Sequence, residues 1–393
     1  MTYLRCILKP GKDKPLIGRH PWVFSGAINE IDESCAKGDL LEIYSAEGEY
    51  RGTGYFNPES QLSVRILSFK KRPIDTSFFQ ERLKRALEIR RKVGLPSSST
   101  DSFRLVHAEA DGLPGLIVDF YAGYAVVQIL TAGMEKFKGV ITDILVSLLS
   151  PKGIFEKSPA EFRSKEGLLP AEGCLVGEPV PDLVEIRENG QRFYVDLKKG
   201  QKTGFFLDQR DNRDLVKSVS AGANVLNCFS YTGGFSVFAA AGGASSVISV
   251  DASAYALELS EKNMALNGFG AVHSAVQADV FEYLRQEGEA FDLIVLDPPA
   301  FCKNKSHVDA AARGYKDINL CALKRLRQGG FFYTASCSSH ISADLFQKIL
   351  FAAAKDAGRE LRILSKTSHP ADHPVSIYHP EGEYLKGLLC IAD

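Results

Sequence analysis

The sequence carries no surplus of either charge: 47 Lys+Arg against 48 Asp+Glu leave a net charge of −1. Overall basicity therefore makes no case for a polyanion partner, and any such partner has to meet a local patch. No apolar run approaches the roughly 18–20 residues that a membrane helix needs. The opening MTYLRCILKPGKDKP lacks the continuous apolar stretch of a secretory signal. The eight cysteines (6, 35, 174, 228, 302, 321, 337 and 390) include no C-x-x-C pair. In a chain of this length that reads as reduced thiols rather than a disulfide framework. Internal repeats and low-complexity segments are absent too. What remains is the composition of an ordinary globular protein, 45% hydrophobic and 24% charged. Its 393 residues exceed one typical domain of roughly 100–200, so a cytosolic protein of two or three domains is expected.

Residues 1–72 hold short β-type runs (LLEIYS at 40–45, YRGTGYF at 50–56, QLSVRILSF at 61–69) punctuated by Gly and Pro, the pattern of a small barrel or sandwich. Between Arg65 and Lys92 stand ten Lys/Arg against Asp75, Glu81 and Glu88. Phe79, Leu83, Ala86 and Leu87 fall on one helical stripe there, leaving the basic residues outside. That face is read as a solvated helix surface or as a phosphate-contacting stripe. The pattern over 73–182 gives a second α/β unit, and LLPAEGCLVGEPVPD (168–182), rich in Gly and Pro, marks a boundary. A hairpin follows, with Asn189-Gly190 suited to a type I′ turn. From about 223 to the end, strand–helix alternation predicts a mostly parallel, doubly wound sheet of seven strands, with room for an antiparallel last strand.

Ligands of such sheets bind beyond the carboxyl ends of the strands, beside the first turn. Here that turn reads Asn227-Cys-Phe-Ser-Tyr-Thr-Gly-Gly-Phe. Gly233 and Gly234 allow close backbone approach to a ligand, but the G-x-G-x-x-G phosphate cradle is missing. Asp251, Asp279 and Asp297 each end a successive strand. Asp251 is placed to accept from ribose hydroxyls and Asp279 from an adenine amino group. An acidic ribose clamp suits NAD as well as S-adenosylmethionine (SAM). The missing dinucleotide fingerprint and the Asp-Pro-Pro after the fourth strand favour SAM.

At this point the sequence resembles class I SAM-dependent methyltransferases, and more closely the bacterial 23S rRNA cytosine-C5 methyltransferases that carry an N-terminal PUA domain. The matching segments are GRHPWVFSGAI (18–28), FFLDQRDNR (205–213), NCFSYTGGFS (227–236), DPPAF (297–301), GYKDIN (314–319), SCS (336–338) and DHP (372–374). The resemblance implies a PUA barrel (1–72), a central RNA-binding α/β domain (73–182) and a Rossmann-like catalytic domain with a leading hairpin (183–393). It implies a SAM pocket formed by Gln209, Arg210, Asn227, Phe229, Tyr231, Thr232, Gly233, Gly234, Asp251, Asp279 and Asp297. Asn227 stands where the family usually has an acidic residue. Pro298, Pro299 and Phe301 would meet the target base.

C5 of cytosine is a poor nucleophile, so a thiolate must first add to C6. The family's nucleophile position falls on Cys337, in Ser-Cys-Ser at the end of the fifth strand. Asp297 could assist addition by protonating or hydrogen-bonding N3 and the exocyclic amine. Cys302, read as bland variation in a loop, and Cys228, read as packing in the cofactor turn, are left outside the catalytic set. His369, His373 and His379, each followed by Pro, lack H-E-x-x-H spacing and suggest a loop rather than a metal site. Asp372 and His373 are assigned to a polar loop lining the substrate entrance. Lys198, Lys199 and Lys202 are read as solvent-facing hairpin lysines or phosphate contacts. Trp22 is read as core packing in the barrel rather than a base-stacking platform. The expected protein is a cytoplasmic, monomeric or weakly associating rRNA methyltransferase that uses SAM and neither metal nor membrane. Its partner would be 23S rRNA or a large-subunit precursor. The rivals are an rRNA guanine N-methyltransferase and a non-catalytic RNA-binding assembly factor.

Overall fold

Short β-branched and aromatic runs broken by Gly and Pro build the first sheet. Its strands are β1 (Leu4–Leu8), β2 (Trp22–Val23), β3 (Ile28–Ile31), β4 (Leu40–Tyr44), β5 (Tyr50–Phe56) and β6 (Val64–Ser68). They lie in the order β2-β6-β5-β4-β1-β3, with only β1 and β4 parallel among the paired strands. This is a computed structural model, and it describes residues 3–302 and 304–393.

The next sheet, β11-β10-β9-β8-β7, contains β7 (Ser102–His107), β8 (Leu116–Tyr121), β9 (Tyr124–Ile129), β10 (Gly153–Ser158) and β11 (Ala171–Gly177). β11 falls inside the stretch read as a Gly/Pro-rich boundary. It is an edge strand, antiparallel to β10, and an edge tolerates its two glycines better than a strand interior would. The helix Thr76–Lys92 starts at Asp75, whose carboxylate accepts from the Phe78 N–H at 3.1 Å. Its predicted apolar stripe, Phe79, Leu83, Ala86 and Leu87, is buried. Each large side chain of that stripe contributes roughly 1.5–3 kcal/mol by leaving water.

The segment 73–182 does not stand apart from the first sheet. Tyr55 and Leu67 are buried in one core with Phe79, Phe103 and Val127. The Tyr55 hydroxyl donates to Pro114 O (2.8 Å) and accepts from the Thr131 hydroxyl (2.9 Å). Residues through Val184 therefore form one unit, together with Val195–Phe205 and Ala371–Gly382. The last two segments were expected with the C-terminal domain. They are fastened here because Lys157 Nζ donates to Leu197 O (3.1 Å) and Gly200 O (2.5 Å), and Thr203 donates to Asp119 (2.7 Å). Arg90 in turn donates to Asp372 O at 2.9 Å.

The second unit comprises Glu185–Tyr194, Phe206–Pro370 and Glu383–Asp393. The strands flanking Asn189-Gly190 are β12 (Val184–Glu188) and β13 (Gln191–Val195), and both turn residues have positive φ, +46° and +83°. The main sheet holds β14 (Asn224–Cys228), β15 (Ser246–Asp251), β16 (His273–Gln277), β17 (Phe291–Leu296), β18 (Leu326–Ser336), β19 (Leu361–Thr367) and β20 (Lys386–Ala392). Their order is β16-β15-β14-β17-β18-β20-β19, parallel except for β20, which runs antiparallel to both neighbours. This is the expected seven-stranded, mostly parallel sheet. Its order reverses at β14, so the carboxyl ends of β14, β15, β17 and β18 define the binding edge.

Candidate active site

At the end of β14 the chain turns tightly into the helix Gly234–Ala241. Phe229, Tyr231 and Gly233 all have positive φ (+57°, +48° and +79°). Such strain in non-glycine residues persists only where the surroundings enforce it, and it gathers at functional sites. The enforcement is visible here: Ser230 N–H donates to Val250 O (3.1 Å) and Tyr231 N–H to Asp251 Oδ2 (2.9 Å). The other Asp251 oxygen accepts from Ser253 N–H at 2.9 Å. Asn227 Nδ2 donates to Ser236 Oγ (2.8 Å), and Ser249 links Ser236 (2.6 Å) to His273 (2.8 Å). Burial lowers the His273 pKa to about 4, so this chain is uncharged at neutral pH. A Cβ on Gly233 would lie 2.3 Å from Ser260 Oγ. Gly233→Ala is therefore expected to cost about 1–3 kcal/mol in thermal denaturation and to weaken cofactor binding by calorimetry.

The turn fits a polar ligand. Asn227 Oδ1, Ser230 Oγ and Thr232 Oγ1 are buried with no hydrogen-bond partner among the described residues, an arrangement costly unless something else meets them. Tyr231 packs edge-on against Phe206 with centroids 5.3 Å apart. Asp279 is exposed and caps the helix Val280–Arg285 by accepting from Glu282 N–H at 3.0 Å.

At the next strand ends stand Asp297, just past β17, and Cys337, just past β18. Gln209 Nε2 donates to Asp297 Oδ2 (2.9 Å), and its amide orientation is fixed by Asn212 Nδ2, which donates to Gln209 Oε1 (2.5 Å). Arg210 is buried 3.8 Å from Glu188, whose carboxylate is bound bidentately by Arg213 (2.7 and 2.8 Å). Pro298 is buried and Pro299 exposed. Phe301 packs between Phe281 (5.8 Å) and Tyr315 (4.6 Å). Its ring thus joins an aromatic row at the core margin. Ser338 braces the loop carrying half-buried Cys337: its hydroxyl contacts Cys302 N–H (3.1 Å) and the Tyr315 hydroxyl (3.0 Å). Lys386 Nζ donates to Ser338 O (2.5 Å) and Tyr384 O (2.9 Å). Lys386 escaped the sequence reading, although a lysine opening an otherwise apolar strand was a visible signal. Cys302, read from the sequence as loop variation, is instead 2% exposed within the main core.

Two family profiles match: an S-adenosylmethionine-dependent methyltransferase over residues 167–377 and a PUA-like domain over 6–69. A ribosomal RNA large subunit methyltransferase I from Alteromonas mediterranea is 44% identical over 389 residues, with 98% of each chain covered. Its counterpart from Shewanella frigidimarina is 45% identical over 392 residues, again with 98% of each covered. The chain belongs to the ribosomal RNA large subunit methyltransferase I family. A candidate SAM-dependent methyltransferase from Streptococcus mutans shares the fold at TM-score 0.85 and 24% identity, each chain fully covered. Another solved methyltransferase of the same fold (TM-score 0.86, 24% identity, full coverage of both) was in complex with SAH.

This methyltransferase is SAM-dependent, and the turn at 227–234 has the polar atoms and close approach that such a cofactor requires. Other expectations change. Asp372 and His373 do not line an entrance: both are buried in the first unit, where Asp372 accepts from Arg104 N–H (2.9 Å) and His373 lies against His107 (centroids 5.3 Å apart). Nor are all the basic residues of Thr76–Lys92 outside, because Arg90 is fully buried and paired with Asp111 (2.6 and 2.8 Å). Lys198 pairs with Asp182 at 3.3 Å. Trp22 donates from Nε1 to Glu109 (2.9 Å) and meets His379 edge-on at 4.5 Å. Among the described residues no cluster of three His, Cys, Asp or Glu side chains could hold a metal, and no helix is long and apolar enough to cross a membrane.

The family member also has a cationic cleft of about 470 Å³ in its first unit, lined by Arg19, Lys70, Arg72, Arg82 and Arg85. Its acids are engaged: Glu81 by Arg72 (2.9 Å), Glu109 by Trp22 (2.9 Å) and Asp111 by Arg90 (2.6 Å). Arg82 lies over the Phe78 ring (5.1 Å), and its Nε is buried without a partner among the described residues.

Proposed function

We propose that this enzyme methylates C5 of a cytidine in large-subunit (23S) rRNA through a covalent bond between Cys337 Sγ and C6 of the base. The observation that carries the reading is the pairing of two groups at neighbouring strand ends. A thiol follows β18, and a carboxylate oriented by Gln209 follows β17. SAM, when bound, supplies the electrophilic methyl carbon. We assign Asn227, Phe229, Tyr231, Thr232, Gly233, Gly234, Asp251 and Asp279, with Gln209 and Arg210 beside them, to holding it. The Cys337 thiolate adds to C6, and the C5=C6 electron pair moves onto C5, which becomes the nucleophile. Asp297 steadies N3 and the exocyclic amine during addition. After transfer the C5 proton passes to solvent water, its C–H electron pair reforms the C5=C6 bond, and the thiolate leaves C6 with the S–C pair. Pro298 and Pro299 stiffen the loop under the base. A paired base would be out of reach, so the cytidine must be flipped or unpaired.

The cationic cleft supports an RNA substrate, since its unpaired positive charge suits phosphodiesters rather than base edges. Replacing Arg82 and Arg85 by Gln is expected to weaken rRNA binding roughly tenfold at ~0.15 M salt and to flatten the salt dependence by about 1.4 in slope, if each contacts one phosphate of single-stranded RNA. Filter binding across a salt series reads both numbers, and an unchanged slope removes the cleft from the interface. The function itself is tested by incubating protein, SAM and undermethylated large-subunit rRNA, then analysing nucleosides for wild type and Cys337→Ala. 5-Methylcytidine lost in the variant supports the reading. Methylated guanine retained in the variant replaces it with an exocyclic or ring-nitrogen reaction. RNA binding without product leaves a binding factor.

A further inference from the structure

Every residue of β20 after its first is apolar or small (Gly-Leu-Leu-Cys-Ile-Ala), as suits a strand flanked on both sides. Its first residue is nevertheless a lysine only 9% exposed. Burying an ammonium is costly unless an opposite charge meets it. Among the described residues its hydrogen bonds go to two neutral carbonyls, Ser338 O and Tyr384 O, and no carboxylate pairs with it. The register sets Lys386 opposite Ser336, while Nζ reaches the carbonyl of Ser338. The lysine side chain therefore runs alongside the residue between them, Cys337, and ends at the next carbonyl.

We propose that Lys386 is a positioning residue whose ammonium supplies the positive charge that holds Cys337 as a thiolate before the base arrives. The inference rests on the reading of Cys337 as nucleophile. No bond to Lys386 forms or breaks. The thiol proton passes to solvent water, and the freed sulfur electron pair is the one that later forms the Sγ–C6 bond. Burial draws the lysine pKa down to about 8, with Cys337, Glu383 and Cys302 pulling it back up. Tyr315, a further titratable group at this loop, is held neutral by burial. The lysine is thus still charged at neutral pH, when the thiol needs it. The bland alternative is that Lys386 merely ties the strand end to the Ser336–Ser338 loop.

The experiment follows alkylation of Cys337 by iodoacetamide against pH in the full-length protein, read by peptide mass spectrometry to separate it from the other cysteines. Wild type is expected to react with a midpoint below the value of about 8.5 typical of a free thiol. Lys386→Met should raise that midpoint by about one unit or more, a tenfold loss of thiolate at neutral pH. Lys386→Gln, which keeps N–H donors for the carbonyls but no charge, should behave like Met. Lys386→Arg should restore the wild-type midpoint. The acidic limb of the kcat profile should move with the midpoint while the KM for SAM stays constant. An unchanged midpoint in folded Lys386→Gln, or failure of Arg to rescue, overturns the proposal in favour of the bland tie. If the midpoint moves as expected but Cys337→Ala still makes 5-methylcytidine, the ion pair stands and the nucleophile assignment fails.

Discussion

Cys337→Ala is expected to lower 5-methylcytidine formation by a factor on the order of 10⁴ or more, the scale on which deleting a covalent nucleophile acts. SAM affinity should be unchanged, because the residues assigned to the cofactor lie on the β14 turn and at other strand ends. The thiol sits where the loop past β18 is braced by Ser338 on Cys302 N–H and Tyr315, so a methyl group in its place leaves that brace intact. Cys302→Ala provides the contrast. That side chain is buried in the core, and its loss should cost about 1–2 kcal/mol of stability while leaving the chemistry in place. Single-turnover methylation of an rRNA fragment, with calorimetric titration of SAM, reads both halves. Retained turnover in Cys337→Ala would mean that the thiol is a packing residue.

Arg90→Met should destabilise the first unit by about 3–5 kcal/mol, the cost of leaving a buried charge without its partner. Arg90 is 0% exposed and binds Asp111 through both terminal nitrogens. It also donates to the carbonyls of Arg104 and Asp372, both at 2.9 Å. Removing it strands the Asp111 carboxylate and takes away one of the hydrogen bonds that hold Asp372. The double variant Arg90→Met/Asp111→Leu should lose less than the sum of the two single changes, because the second removes the charge that the first orphaned. Urea denaturation of the three proteins measures the coupling. Additive losses would show that the pair holds no shared energy.

The architecture was legible wherever periodicity and local chemistry agree. The runs at 40–45, 50–56 and 61–69 fall on β4, β5 and β6, and the Asn189-Gly190 turn has the positive φ values its residue types suggest. Asp251, Asp297 and Cys337 could be placed at strand ends because strand ends follow from pattern alone. What stayed hidden depends on partners distant in sequence. Arg90 looked like one more charge on a solvated face, yet its carbonyl partner lies 282 residues away in the chain. Asp372 and His373 looked like entrance residues for the same reason. Ala171–Gly177 fell inside a stretch read as a boundary because its glycines and the prolines flanking it carry the same signature as a loop. Asn57, buried and bonded to Glu166 (2.7 Å), could not be foreseen, since sequence pattern says nothing of a polar residue paired across 109 positions.

The most direct test of the central claim replaces the target cytidine by 5-fluorocytidine in a large-subunit rRNA fragment and incubates it with enzyme and SAM. Fluorine at C5 cannot leave as the proton does, so the Sγ–C6 bond should persist through denaturation. One RNA-linked peptide is expected, with the crosslink on Cys337, and none in Cys337→Ala. A preparation that methylates the unmodified fragment yet forms no such bond, or forms it at another residue, would contradict it.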